Sequence, residues 1–194
     1  MYKTLNPLIH RSGDKGTTGN SERGFTAIEL MVVVAIMAIL AGLAAPSFTP
    51  LIERWRVRQA SEALQSTLYL ARSEAIKRGG GVTLKKTASG SDCALADGEA
   101  DWGCGWTLSD TTNNLVLQNI APAKDVRLVI TPSGASTAFD RYGMPLDSAG
   151  AIVNVTYSFL LYPSKLDASS PSAIQICLGV GGRLNTIKGD ASCS

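Results

Sequence analysis

An uninterrupted apolar run from Phe25 to Ala45 is the strongest pattern in the sequence. Thr26 and Glu29 are its only polar residues, and none of its residues is basic. At about 1.5 Å per residue, a helix of this length spans roughly 30 Å, the thickness of a bilayer's hydrocarbon core. Residues 25–46 are therefore predicted to form a transmembrane helix. A carboxylate at membrane depth costs about 2.5–3.5 kcal/mol, so Glu29 requires a partner unless it reaches the interface from the end of an ordinary anchor.

The residues that open this run carry a family resemblance. The segment Gly24-Phe25-Thr26-Ala27-Ile28-Glu29, followed by the apolar residues, resembles the processing site of type IV prepilins and type II secretion pseudopilins. In that family a prepilin peptidase cuts after the glycine, here Gly24, and methylates the new terminus, here Phe25. The acid that corresponds to Glu29 pairs with the terminal amine of a neighbouring subunit during assembly. The resemblance implies that residues 1–24 are a cleaved leader.

A secretory signal peptide is the alternative interpretation of the same stretch. It would combine the basic leader, the apolar core and the small residues of Gly42-Leu43-Ala44 at a cleavage site, giving a secreted protein. The Gly-Phe-Thr junction and the acid four residues after Phe25 favour the prepilin interpretation.

The orientation of the anchor does not follow from charge. Three basic residues precede the apolar run closely and three follow it, which is a tie under the positive-inside rule (Arg11, Lys15 and Arg23; Arg54, Arg56 and Arg58). The prepilin resemblance implies a single-pass inner-membrane protein whose C-terminal head lies in the periplasm.

Residues 47–80 are predicted to form an amphipathic helix that continues the transmembrane one. Apolar residues recur at steps of three and four, as expected for a helix that packs on a sheet (Val57, Ala60, Leu64, Leu68, Ala71 and Ala75). Pro46 and Pro50 are predicted to bend or open the helix, because proline lacks an amide donor and clashes with the preceding turn. The glycines of 79–81 are predicted to end it in a left-handed cap.

Residues 81–194 are predicted to form a β-rich head. Short β segments alternate with turn residues, at 82–86, 105–109, 115–120, 126–131, 138–142, 152–162 and 173–180. One long helix followed by about seven strands indicates an α+β protein, with the helix packed on an antiparallel sheet or sandwich. This is also the fold that the pilin resemblance implies.

Three further segments narrow the resemblance to the GspH/FimT/FimU group of pilin-like proteins. They are the stretch from Ala71 to Gly79 (ARSEAIKRG) with Val82-Thr83-Leu84 after it, the Trp-containing Gly103-Cys104-Gly105-Trp106, and Gly182-Arg183. Members of this group are minor, low-copy subunits near the filament tip. The resemblance implies a structural tip or initiation subunit of a type II secretion pseudopilus or a type IV pilus, with other pilin subunits and the prepilin peptidase as partners.

Four cysteines lie in the predicted head, at positions 93, 104, 177 and 193. Four cysteines allow three pairings. The resemblance favours the pairing of neighbours, Cys93 with Cys104 and Cys177 with Cys193, because such heads often contain short disulfide-closed loops.

The sequence contains no arrangement typical of catalysis or metal binding. Its only histidine, His10, lies in the leader, which excludes Ser-His-Asp and Cys-His sites in the processed chain and makes a zinc site improbable. An acidic segment lies between the first two cysteines (Asp92, Asp97, Glu99 and Asp101), but it lacks an EF-hand pattern and a closing glutamate, so a solvated loop is favoured over a calcium site. We predict no enzymatic activity, no metal and no cofactor.

DNA binding is the second functional class that the sequence leaves open. Some FimT-type pilins bind DNA during natural transformation through a C-terminal Gly-Arg-x-Arg, whereas this chain reads Gly182-Arg183-Leu184-Asn185 and offers Lys188 as a substitute. From Ala88 onward the chain has six basic and ten acidic residues, a net charge of −4 that disfavours phosphate binding. Arg183 and Lys188, on a predicted exposed turn at 182–188, are the candidate DNA contacts, and a structural role is favoured.

Overall fold

The computed structural model of the protein describes residues 24–44, 48–147, 150–189 and 191–193. It separates into two compact units, Met1–Ala45 and Pro46–Ser194. The predicted leader before Gly24 and the predicted helix break at Pro46 lie outside the described residues.

The first unit contains helix α1, Ala27–Ala44. Glu29 is its only charged residue, and every side chain described on it is exposed, on all sides of the helix. Within the described ranges, no helix combines the length and the apolar character that a membrane crossing requires.

The second unit begins with helix α2, Thr49–Arg78. Pro50 lies in its first turn, where the missing amide donor breaks no intrahelical bond, so this proline begins the helix rather than bending it. All six residues of the predicted apolar stripe are buried. Gly79 ends the helix in the left-handed conformation (φ 79°), as the sequence predicts.

Nine strands follow α2 within the described residues: β1 Val82–Lys86, β2 Trp106–Asp110, β3 Leu115–Ile120, β4 Val126–Thr131, β5 Ser136–Phe139, β6 Pro145–Leu146, β7 Tyr157–Pro163, β8 Ile174–Leu178 and β9 Leu184–Lys188. They form a five-stranded sheet in the order β3-β2-β1-β5-β6 and a four-stranded sheet in the order β4-β7-β8-β9. Every pairing is antiparallel. The predicted α+β class, with a helix packed on an antiparallel sandwich, is confirmed.

The core of the head lies between α2 and the two sheets. The helix contacts β1 and β5 of one sheet and β4, β7 and β8 of the other. Trp102 and Phe159 meet edge to face in this core, with their ring centroids 6.3 Å apart. The alternating burial along β7, whose odd-numbered residues are all buried, follows from one strand face packing on the helix.

Several predicted strand boundaries were wrong. The predicted strand 138–142 ends at Phe139, because the Asp140 carboxylate accepts the backbone N–H groups of Tyr142 and Met144 and closes a turn there. The predicted strand 152–162 begins only at Tyr157. The largest error concerns residues 182–188, which were predicted as an exposed turn. Instead, Leu184–Lys188 pairs with β8 and forms the edge strand β9.

Candidate functional site

The N-terminal end of α1 contains the residues of the predicted processing site. Gly24, Phe25 and Thr26 precede the helix, and the Phe25 side chain is 83% exposed. The Thr26 hydroxyl accepts the backbone N–H of Glu29 at 3.3 Å, so Thr26 is the N-cap and Glu29 the third helical residue. This is one half of a Thr-x-x-Glu capping box, and a carboxylate in the first turn also interacts favourably with the helix dipole. Glu29 therefore has a local role in starting the helix, in addition to the intersubunit role that the resemblance implies.

The surface of α1 is apolar in every direction. Its large exposed side chains include Met31 at 74% and Leu43 at 72% exposure, with valines, isoleucines and leucines between them. A helix that is apolar all round is stable in a membrane or inside a larger assembly, and not in water. The surface therefore requires an apolar environment that its own described chain does not supply.

Arg72 joins helix α2 to two glycine turns of the head. Its Nε donates to the backbone carbonyl of Gly143 at 3.0 Å. Its guanidinium also lies against Gly182, which has φ 72°: a Cβ at position 182 would lie 2.6–2.7 Å from three guanidinium atoms. Two of the segments that carry the family resemblance, ARSEAIKRG and Gly182-Arg183, therefore meet at this contact, and Gly182 is required there by both its conformation and its lack of a side chain.

Arg183 and Lys188 are not brought together, contrary to the predicted basic turn. Arg183 lies one position before β9, where its carbonyl accepts the Gly179 N–H at 2.9 Å, and Lys188 is the last residue of the strand. Successive side chains of a strand point to opposite faces, and the two residues are five positions apart. These two residues therefore do not form the basic turn that the DNA-binding alternative predicts.

A buried carboxylate holds the end of α2 to the first sheet. The Asp110 side chain, fully buried, accepts Arg78 Nη1 at 2.9 Å and Asn113 Nδ2 at 2.7 Å, and it also accepts the backbone N–H groups of Thr112 and Asn113. The hydrogen bonds from Asn113, with those from Arg78 and Thr112, lower the pKa of Asp110 below its ordinary value. Arg78 Nε also bonds Glu74 at 2.6 Å, and this bond lowers the pKa of Glu74.

The acidic segment between the first two cysteines is organised around a lysine. The ammonium of Lys86 donates to the backbone carbonyls of Ala96, Gly98 and Asp101. The Asp101 carboxylate accepts the Gly98 N–H at 3.2 Å. An ammonium thus occupies the centre of the carbonyl cluster, while most of the acidic side chains point to solvent. No group of three or more potential metal ligands is assembled anywhere in the described part of the chain.

Two disulfides close loops of the head. Cys93 is bonded to Cys104, across the acidic segment, and Cys177 of β8 is bonded to Cys193 near the C-terminus. The second bond holds the residues that follow β9 against the four-stranded sheet.

Trp106 fixes the first sheet to the helix through a polar contact. Its indole Nε1 donates to the Thr67 hydroxyl at 3.1 Å, and that hydroxyl donates to the Ala63 carbonyl at 2.9 Å. Both side chains are buried. Trp106 was identified by resemblance, whereas Thr67 was missed, because its only signal in the sequence is a polar residue beside the apolar stripe of α2.

Comparison with known proteins adds two family matches. Residues 60–183 match the family model described as "Type II transport protein GspH", and residues 19–45 match the "Prokaryotic N-terminal methylation motif". The first match covers most of the described head and includes both partners of the contact between Arg72 and Gly182.

Two characterised relatives resemble only parts of the chain. A fimbrial protein of Moraxella nonliquefaciens is 49% identical over 41 residues, which cover 21% of this chain and 27% of the relative. The pilin-like protein PilA1 of Thermus thermophilus is 37% identical over 71 residues, 37% of this chain and 44% of the relative. The chain therefore spans less than half the length of either relative. Among solved structures, the type IV minor pilin FimU of Pseudomonas aeruginosa superposes on 71% of this chain and 92% of its own, with a TM-score of 0.52 and 15% identity, which shows a shared fold.

Proposed function

The chain belongs to the GspH family of type II transport proteins, which comprises minor pilins and pseudopilins, and on that basis we propose that it is a tip or initiation subunit of a type II secretion pseudopilus or a type IV pilus. The observation that carries the proposal is the surface of α1, apolar on all sides and exposed throughout. A bundle of such helices from neighbouring subunits supplies the apolar environment that a single chain lacks. Family membership also points to a structural rather than a catalytic protein, located in the cell envelope.

Before assembly, we propose, the chain is a single-pass inner-membrane protein with its head in the periplasm. The apolar sequence 25–45 supports an anchor, and the two disulfides of the head support an oxidising compartment. Prepilin peptidase would cut between Gly24 and Phe25, a bond that lies outside the helix, and would methylate Phe25. The match of residues 19–45 to the methylation motif favours this route over a secretory signal peptide.

Intact mass spectrometry of the chain purified from native membranes tests the processing step. The expected mass begins at Phe25 and includes one methyl group. A mass that begins at Ala45 would instead establish signal-peptide cleavage and would remove the anchored-subunit proposal.

Glu29 is proposed to pair with the terminal amine of a neighbouring subunit. The new amino group of Phe25 is a cation near neutral pH, and a charged pair costs less than an isolated carboxylate in an apolar bundle. Glu29→Ala should leave cleavage and the disulfide-bonded head intact but lower incorporation into filaments severalfold, whereas Glu29→Asp, which keeps the charge, should retain more. Glu53 of α2 supplies the matched control, because Glu53→Ala removes a carboxylate without touching α1. Normal incorporation of Glu29→Ala would contradict the pairing.

Immunogold labelling of sheared filaments tests the tip role, with an antibody against the head. Label restricted to one filament end, together with loss of filaments when the gene is deleted, is the expected result. Label spread along the filament would identify a bulk subunit and contradict the tip assignment.

A further inference from the structure

A basic groove runs between α2 and strand β9, at the edge of the four-stranded sheet. It encloses about 630 Å³, within the roughly 300–1,000 Å³ range of ligand sites. The charged side chains that line it are Arg54, Arg58 and Glu62 of the helix and Lys188 of the strand, and these three cations and one acid give a net charge of +2. Glu62 pairs with Arg58 at 3.1 Å, whereas Arg54 and Lys188 make no ion pair among the described residues.

The basic side chains face the groove from two elements. Arg54 and Arg58 are four positions apart on α2, so they are neighbours on the helix surface and repel each other. Residues opposite each other in a sheet share a face, and Lys188 lies opposite Ile174, on the face from which Ile176 packs into the core. Lys188 is therefore on the side of β9 that faces α2. A bound anion relieves the repulsion, and a guanidinium is able to hold a phosphate through two parallel hydrogen bonds.

An apolar patch adjoins the groove around the first two turns of α2. Four large side chains, at spacings of three and four residues, are exposed there on the side away from the core (Phe48, Leu51, Ile52 and Trp55). Trp55 is 61% exposed, whereas the other two tryptophans, Trp102 and Trp106, are buried. Arg58 lies one helical turn beyond Trp55, so the patch and the groove form one surface. Exposed tryptophan and aliphatic side chains beside arginine are typical of a helix in a membrane–water interface.

We propose that this surface binds one anionic phospholipid, with the headgroup phosphate in the groove and the acyl chains against the apolar patch. The phosphate is held by Arg54 and Lys188, the two cations without a partner. Along the chain, Arg54 follows the end of the apolar run at Ala45 by nine positions, so the groove includes residues close in sequence to the proposed anchor. The inference rests on that proposed anchor, and it assigns one lipid to each copy of the chain, whether or not copies assemble.

Inorganic phosphate and DNA offer the groove the same phosphate chemistry. The chain from Ala88 onward has a net charge of −4, which disfavours DNA, and neither anion has apolar groups to cover the patch. A phospholipid is the occupant that uses both the charge of the groove and the apolar side chains beside it. The other two anions become outcomes of the test.

Trp55 is a reporter for the bound lipid. The full-length chain is reconstituted alone into vesicles of phosphatidylcholine with a minor fraction of phosphatidylglycerol, and bromine is placed on the acyl chains of one lipid or the other. Bromine quenches tryptophan fluorescence only at short range. In a titration of the brominated fraction, phosphatidylglycerol should reach half-quenching at a roughly 25-fold lower mole fraction than phosphatidylcholine, about fivefold for each unpaired cation. Trp55→Phe should abolish this quenching, because Trp102 and Trp106 are buried.

Charge-neutral variants locate the site of the preference. Arg54→Gln and Lys188→Gln should each lower the preference for phosphatidylglycerol about fivefold, and the double variant should be quenched equally by the two lipids. Both side chains are exposed and make no described ion pair, so these changes leave the fold intact, which thermal unfolding confirms. Arg141→Gln is the matched control: it removes an exposed cation outside the groove and should leave the preference unchanged.

Equal quenching by the two lipids in the unaltered chain overturns the proposal, and so does a preference that survives in the double variant. Exchange of chloride for inorganic phosphate at equal ionic strength, or addition of duplex DNA, should leave the preference unchanged. Its loss in either experiment would identify that anion as the occupant and overturn the lipid site. Flotation of the vesicles tests the anchor separately: a chain that does not float refutes the anchor as well, whereas a floating chain with equal quenching refutes the lipid site alone.

Discussion

Replacing Gly182 by alanine should destabilise the head through two separate effects. The residue has φ 72°, and a left-handed conformation costs a residue with a side chain about 1–2 kcal/mol. The new Cβ would also lie 2.6–2.7 Å from the guanidinium of Arg72. That guanidinium must then move and give up its bond to the Gly143 carbonyl, and a hydrogen bond from a charged group contributes about 1.5–3 kcal/mol. The expected loss is about 2.5–5 kcal/mol in the free energy of unfolding.

The neighbouring glycine is a matched control. Gly181 does not have a left-handed φ, and a Cβ there would meet no atom within 4 Å. Gly181→Ala should therefore change the free energy of unfolding by no more than about 0.5 kcal/mol. In an Arg72→Ala background the clash disappears, so Gly182→Ala should there cost only the backbone conformation, about 1–2 kcal/mol.

Thermal unfolding of the processed chain in detergent, followed by far-ultraviolet circular dichroism with both disulfides intact, measures these differences. For a head of this size the single variant should lower Tm by roughly 5–20 °C. Equal melting temperatures for the Gly181 and Gly182 variants would refute the conformational argument. Strict additivity of Gly182→Ala and Arg72→Ala would refute the steric one.

Three further predictions concern the contacts that hold the head together. Thr67→Val should leave the buried indole N–H of Trp106 without an acceptor and lower the free energy of unfolding by about 1–3 kcal/mol in chemical denaturation. The pKa of Asp110 is lowered in the folded chain, so its carboxylate stabilises the fold at pH values above its ordinary pKa near 3.8, and this stabilisation is lost as the pH falls through the still lower folded pKa. Tm of the unaltered chain should therefore fall when the pH is lowered below about 4. Tm of Asp110→Asn should fall less over the same range. Replacing Cys177 and Cys193 together by serine opens a loop with a sequence separation of 16 and should cost about 3 kcal/mol, seen as a lower denaturation midpoint and as faster amide exchange in β9.

The elements that local pattern specifies were predictable from the sequence. Helix α2 has a regular apolar stripe and a left-handed glycine at its end, and its predicted range 47–80 differs by two residues at each end from Thr49–Arg78. Strands β1, β3 and β4 occupy the predicted residues, because turn-forming residues bound each of them.

Strand β9 could not be predicted because its own residues do not show the pattern of a strand. Three of the five residues from Leu184 to Lys188 are polar, so no alternation of apolar residues is visible. The register is set by pairing with β8, in which Ile176 lies opposite Thr186. Glycine and arginine before the strand indicate a turn, and the predicted turn at 182–188 wrongly included the residues of β9.

The residues that organise the candidate site were missed for a related reason. Lys86 bonds carbonyls that lie ten to fifteen positions away, and Arg72 bonds a carbonyl 71 positions away. A single sequence reports periodicity within one element but not which loop will fold over which side chain. Resemblance identified Gly182 and Trp106 without giving their partners, which became visible only in the structure.

The cap of α1 determines what proteolysis would change in this protein. Thr26 starts the helix, because its hydroxyl accepts the Glu29 N–H and its carbonyl accepts the Leu30 N–H. A cut between Gly24 and Phe25 would leave the cap, the helix start and the position of Glu29 in the first turn as they are. What the cut changes is charge: it removes a leader with four basic and two acidic residues and leaves one ammonium group close to the N-cap. A cut there would therefore alter the charge beside the N-cap while the Thr26 hydroxyl that begins the helix stays on the chain.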